Sequence, residues 1–298
     1  MNMNIINDKN LWIKLAMLLF FCCFFNLYPL VVKSEEANRN VKYFPAGIHR
    51  LDRLESNLDH FAIRGEGSGI TILEIPGGIT LTGKDPRLQG FTLRGIGNKG
   101  TGITLKNNYR ALVEDVEIQG YELGLLSLCT YGNRQWLHTY RDLYVYDGED
   151  GVKKPYNPRI RGVELRYEGR KSEKGTWEPA GGFSNTHTFY GGRIAVSGAP
   201  LLIDGPTSTS MFGTYIDMCD APIRMTARSA GLQLYGVNLD RNQRARKKGI
   251  PVLILEKPEF NRVKIYGQHV GLLRQRLIVD GNNRPISADK VFINPEKY

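Results

Sequence analysis

The hydrophobic pattern of this chain repeats as a short unit: two core-type positions one residue apart, then a variable residue, then glycine. In the first half it reads Phe61-Ala62-Ile63-Arg64-Gly65, Phe91-Thr92-Leu93-Arg94-Gly95 and Val116-Glu117-Ile118-Gln119-Gly120. It returns as His187-Thr188-Phe189-Tyr190-Gly191, Thr209-Ser210-Met211-Phe212-Gly213, Leu232-Gln233-Leu234-Tyr235-Gly236 and Val263-Lys264-Ile265-Tyr266-Gly267. In-out-in alternation closed by glycine predicts a short strand ended at a turn. Two weaker copies, Leu143-Tyr144-Val145-Tyr146 and Val163-Glu164-Leu165-Arg166, fill the middle, so units recur every 20 to 31 residues. A return of this kind predicts a solenoid.

Helical repeats need amphipathic segments of about ten residues or more, and leucine-rich repeats need a spaced leucine-asparagine signature; the chain has neither pattern. Short strands with glycine corners at this period fit one turn of a parallel β-helix, with room for about nine coils. Short strands with turn signals also fit a two-sheet sandwich. In the best-aligned pair of units, Phe189 to Leu201 matches Met211 to Ile223, every equivalent 22 residues apart. The next unit keeps Gly236 and Leu239 and inserts Arg244 to Gly249 before Pro251, as solenoid corners tolerate.

Aligned this way, Ile194, Ile216, Leu239 and Val270 point inward. Their neighbours form two outward columns, Arg193, Tyr215, Asn238, His269 and Ala195, Asp217, Asp240, Gly271, with steps of ~4.8 Å. Asp217 then lies beside Asp240. Two adjacent carboxylates suit a general acid and a base or nucleophile in glycoside hydrolysis. They also suit a hard cation such as calcium, or are solvated and paired with Arg193 and Arg241. The residues before the glycines predict another column: Arg64, Arg94, Gln119, Tyr190, Phe212, Tyr235 and Tyr266. Its aromatic half reads as a stiffening ladder or a platform for sugar rings.

The coil pattern resembles the right-handed parallel β-helix of the pectate-lyase-like superfamily, over roughly residues 44–279. The stretch Tyr43-Phe44-Pro45-Ala46-Gly47-Ile48-His49 looks like the entry strand of such helices. The resemblance implies an all-β, single-domain solenoid over 35–298, with a cap near 35–60, and an enzyme acting on a polysaccharide. It also raises a homotrimer, the state of phage tailspikes in the same superfamily. The catalytic motifs of its enzymes are missing: Asn-Thr-Asp and Gly-His-Gly of polygalacturonase-like hydrolases, Asp-Pro-His of alginate epimerases, and the Arg-rich and Trp-Ile-Asp-His motifs of pectate lyases. No catalytic residue follows from the resemblance.

Composition adds compartment and partner. Lys9 and Lys14 flank an apolar run from Leu15 to Phe25, and Val32-Lys33-Ser34 offers a cleavage site, so 1–34 is expected to be a signal peptide and the protein secreted or periplasmic. A retained anchor is the alternative. The formal charge is +10 for the chain and about +8 without 1–34. A basic secreted protein points to an acidic polysaccharide or an anionic cell envelope, and away from nucleic acid. No phosphate loop, nucleotide fingerprint or zinc motif is present, so no cofactor beyond calcium is suggested. Cys129 and Cys219 fall several coils apart, too far for a disulfide, and are expected to be free thiols.

The pattern degrades between residues 128 and 187, a loop-rich stretch holding Trp136, His138, Tyr140, Arg159 and Arg161. Lysis of a uronic-acid polymer by β-elimination needs a cation on the carboxylate, a base and an acid. Arg159, Arg161 and His138 have that chemistry, with Tyr140 and Trp136 as sugar contacts. Asp217 and Asp240 are the second catalytic candidates, with Arg193, Tyr215 and Asn238 as binding residues. His187 falls in an inward slot and reads as a hydrogen-bonded core histidine. The functional expectation is a polysaccharide lyase, less so a hydrolase. The alternative is a non-catalytic glycan- or envelope-binding or structural β-helix.

Overall fold

A computed structural model describes residues 40–147, 157–171, 177–178, 183–205, 208–218, 221–241, 243–267, 277–287 and 291–294. The expected signal peptide, Cys219 and positions 269–271 lie outside the described residues. From Val41 onward the chain is one compact unit. Among the described residues, fifteen strands form one sheet and nine form a second. Every ladder within those two sheets is parallel, and consecutive partners come from successive turns of the chain. The one antiparallel ladder among the described strands joins Arg170–Lys171 to Trp177–Glu178. This is a parallel β-helix, and the sandwich alternative is excluded.

The larger sheet bends into two straight segments per turn. In the first, Ile63, Leu88, Val113, Tyr140, Phe189, Met211, Leu234 and Ile265 stack inward in register. In the second, Leu73, Leu93, Ile118, Val145, Ile194, Ile216 and Leu239 do the same. The nine-stranded sheet closes the core with Ile103, Leu125, Val163 and Leu201 in one row. All of these side chains are buried. Each fully buried aliphatic contributes about 1.5–3 kcal/mol, so these stacked rows are a main source of the solenoid's stability. Cys129 is a buried thiol outside any disulfide, its Sγ–H donating to the Asn133 carbonyl at 3.3 Å, and burial pushes its pKa up to about 12.

This register corrects the single column drawn from the repeat. The units at 61, 187, 209, 232 and 263 share the first segment. Those at 91, 116 and 143 belong to the second. The unit at 163 lies in the other sheet. Arg64 therefore stacks on Gln89 rather than Arg94, and its column continues through Glu114 and Arg141 to Tyr190. A left-handed corner joins the two segments at Gly90, Asp115, Asp142, Gly191, Gly213 and Gly236. A second one, entering the first segment, is built from non-glycine residues: His60, Asp85, Arg110, Leu137 and Thr186.

Where coils touch most closely, glycine is required. Gly78 has φ +71°, and a Cβ there would sit 2.0 Å from the Thr101 carbonyl oxygen of the next coil. Gly78→Ala combines backbone strain with a collision that backbone cannot relieve. It is expected to lower stability by about 3 kcal/mol or more, read as a fall in Tm by thermal denaturation. An unchanged Tm would contradict the register at that contact.

Candidate functional site

Outward positions of the second segment form a grid. Tyr144 aligns with Arg193, Tyr215 and Asn238 in one column, and Tyr146 with Ala195, Asp217 and Asp240 in the other. Neighbours along a column are ~4.8 Å apart, and a strand carries the two columns two residues apart. Ala195 leaves a gap between Tyr146 and Asp217. The expected group of Arg193, Tyr215, Asn238, Asp217 and Asp240 is therefore brought together.

Charge pairs organise the face. Arg193 donates to Asp217 Oδ2 from Nη2 at 2.5 Å and from Nε at 3.1 Å. Its guanidinium lies 5.0 Å from the Tyr215 ring centroid, a cation-π contact. The Tyr215 hydroxyl donates to Asp240 Oδ2 at 3.4 Å, and Arg246 to Asp240 Oδ1 at 2.7 Å. The partner of Asp240 is thus Arg246 on the inserted helix Gln243–Lys247, while Arg241 donates to the Ile250 carbonyl. The hydrogen bond that Arg193 donates to Asp217 holds the Arg193 pKa above its ordinary value. Burial, then the charges of Asp217 and Asp240, push that of Tyr215 up.

Two contributors escaped the sequence reading. Tyr144 and Tyr146, with ring centroids 6.4 Å apart, border a depression of about 420 Å³ shared with Ser68, Asp115, Glu117 and Asp142. Their unit was visible as a weak repeat; aligning it on Ile194 would have set Tyr144 beside Arg193. Among the described residues, no group of three or more His, Cys, Asp or Glu is arranged to hold a metal ion. Each carboxylate of the Asp217–Asp240 pair already faces an arginine.

Beside the grid runs the aromatic ladder. Tyr190, Phe212, Tyr235 and Tyr266 stack with centroids 5.2, 4.6 and 4.4 Å apart and planes within 12°. Each contact adds about 0.5–1.5 kcal/mol beyond burial. The facing ring surfaces cover one another, so within the ladder a sugar meets mainly ring edges. The stack stiffens the sheet.

The irregular stretch does not converge. His138 and Tyr140, expected as a catalytic and a sugar-contacting residue, are fully buried inside the solenoid, where a polymer cannot reach them. They belong to a polar plug. The His138 Nε2–H donates to the Asn108 carbonyl at 3.2 Å, and its Nδ1 faces Ser127 Oγ at 3.2 Å and the Tyr140 hydroxyl at 3.3 Å. The Tyr140 hydroxyl reaches His187 Nδ1 at 3.4 Å, and His187 Nε2 pairs with Ser184 Oγ at 2.9 Å. Burial holds His138 down to about 4, and His187 well below its ordinary value, so both are neutral. His187 is the core histidine expected. Ser127 stands in a row whose neighbours are Leu105 and Leu165, and so supplies the hydroxyl this plug needs.

Arg161 starts a strand of the nine-stranded sheet and, with Arg166, pairs with the buried carboxylate of Glu164. Its role there is to neutralise Glu164. Arg159 lies exposed at the preceding turn. Neither joins the grid. Trp136 sits apart, at the corner that enters the first segment.

No protein-family model matches the chain. No curated protein matches it in sequence. Among solved structures it is similar to the A-module of the mannuronan C-5 epimerase AlgE4 of Azotobacter vinelandii, at 11% identity and a TM-score of 0.36, over 84% of this chain and 82% of that one. It is also similar to the A-module of the Azotobacter vinelandii mannuronan C-5 epimerase AlgE6, at 12% identity and a TM-score of 0.33, over 88% and 92%. ORF18 of Geobacillus virus E2 is similar at 11% identity and a TM-score of 0.35, over 72% of this chain and 52% of that one.

Proposed function

We propose that the chain is a secreted or periplasmic protein that takes an acidic polysaccharide on the grid from Tyr144 to Asp240 and cleaves it by β-elimination. The observation that carries this reading is Arg193, a guanidinium on an outward face between Tyr144 and Tyr215 and paired with Asp217. A uronate carboxylate shares Arg193 with Asp217, which withdraws charge from the carboxylate and acidifies the adjacent C–H. Asp217, loosened from Arg193, takes that proton and releases it to solvent when the product leaves. The C–H electron pair forms the C=C bond, and the C–O bond to the neighbouring sugar breaks. Tyr215, kept protonated by its raised pKa, donates its proton to the leaving oxygen and regains one from solvent. No step runs through calcium.

A second reading, a glycan binder without catalysis, is favoured by the pairing of both carboxylates with arginines. One assay separates the two. Incubation with a panel of uronic-acid polymers, with and without calcium, is followed by the absorbance of unsaturated ends. Elimination predicts rising absorbance, lowered about 100-fold in Tyr215→Phe with polymer binding retained. Binding with no unsaturated product would establish the non-catalytic reading. New reducing ends without unsaturation, lost in Asp217→Asn or Asp240→Asn, would mean hydrolysis instead.

A further inference from the structure

The corner that enters the first segment carries a feature the fold does not need. The stacked positions there are Asp59, Lys84, Tyr109, Trp136 and Asn185, with Tyr109 and Trp136 bridged in register. Asp59, Lys84 and Asn185 hold this position in the flanking coils, yet two successive coils place aromatic rings there, 5.2 Å apart and edge to face. Both remain partly exposed. They line a depression of about 490 Å³ together with Lys84, Asp85, Arg110 and Arg134. Lys84 pairs with Asp59 at 3.8 Å and Arg110 with Asp85, so three cations against these two carboxylates leave an excess of one positive charge, with Arg134 completing the rim. Asp85 is itself committed: it is buried, accepts from Arg110 Nε at 2.8 Å and lies 3.3 Å from His60 Nδ1.

An aromatic face ringed by arginine and lysine recognises a ligand that is apolar on one side and anionic at its edge. A pyranose ring bearing a carboxylate or sulfate has that form. We propose that this corner is a second binding site for an acidic sugar residue, separate from the grid. The inference rests on the acidic-polysaccharide reading for its ligand class but uses none of the grid's residues. One strand, Arg134–Tyr146, carries Trp136 near its start and Tyr144 and Tyr146 at its end, with a left-handed corner at Asp142 between them. A polymer held at both places follows this strand around one coil instead of running along the solenoid axis.

The test uses tryptophan emission. The chain has three tryptophans, so the full chain carrying Trp12→Phe and Trp177→Phe reports on Trp136 alone. Titration with an oligouronate is expected to change its emission, and a neutral oligosaccharide of equal length to leave it unchanged. Lys84→Ala with Arg134→Ala should weaken the change about tenfold, while Arg193→Ala should preserve it. Unchanged Trp136 emission while calorimetry shows the oligouronate bound would overturn the corner site and leave the grid reading standing. No binding by either readout would defeat both. An equal response to a single-stranded oligonucleotide would overturn the assignment to sugar.

Discussion

Moving the protein from about pH 7.5 to about pH 5 is expected to cost about 4 kcal/mol of stability. The source is the buried plug. His138 and His187 are neutral in the fold because burial penalises the imidazolium, with the carbonyl of Asn108 offsetting only part of that for His138. In the unfolded chain both protonate near pH 6.5. Their folded pKa values are depressed, so the stability they lend is complete above the unfolded value and is lost as pH falls through it. Each then costs about 1.4 kcal/mol per pH unit, or about 2 kcal/mol down to pH 5. The carboxylates with lowered pKa values, Glu74, Glu114 and Asp280, act in a separate window below about pH 4.5. Denaturant midpoints measured across this range should fall steadily. A level curve from pH 7.5 to 5 would mean that the two rings are not buried together.

Arg193→Ala is expected to abolish most activity and leave the fold nearly untouched. Arg193 and Asp217 form a pair at the surface, with side chains 45% and 22% exposed, and such pairs contribute about 1 kcal/mol or less. Loss of the contact with the Tyr215 ring adds about 0.5–1 kcal/mol. Under the proposed elimination turnover is another matter, since a cation that neutralises the substrate carboxylate acts on developing charge and would be worth about 100-fold or more. Arg193→Lys should recover only part of the loss, because a lysine cannot serve two oxygens with one planar fork. Steady-state kinetics beside thermal denaturation reads both effects. A large fall in Tm with kcat preserved would make the arginine a structural residue.

The part of the grid between Arg193 and Asp240 is legible in the sequence because glycine marks its corner. Gly191, Gly213 and Gly236 adopt positive φ at equivalent places, and the residues after each fall into register by counting. The aromatic ladder is legible for the same reason. Upstream, Asp115 and Asp142 take the same left-handed corner, so the glycine marker disappears and Tyr144 and Tyr146 go unplaced. The glycines that remain there, Gly95 and Gly120, end the next segment instead, which is why Arg94 appears to follow Arg64. In-out-in alternation is identical in every straight segment of a solenoid, so pattern alone cannot say which sheet Val163 joins. The plug is hidden for another reason. Polarity marks His138, Tyr140 and Ser127 as surface residues one at a time, and only their mutual hydrogen bonds make burial affordable.

The face exists only if Asp217 and Asp240, 23 residues apart in the chain, are direct neighbours on adjacent coils. Their Cα atoms are paired across a parallel ladder, at about 4.8 Å, inside the range a disulfide spans. Oxidation of a variant carrying Asp217→Cys and Asp240→Cys should give one intramolecular disulfide, detected by mass spectrometry of the digested protein. Asp217→Cys with Asn238→Cys, one strand slip away, should give none. Cross-linking of the second pair and not the first would contradict the register, and with it the grid.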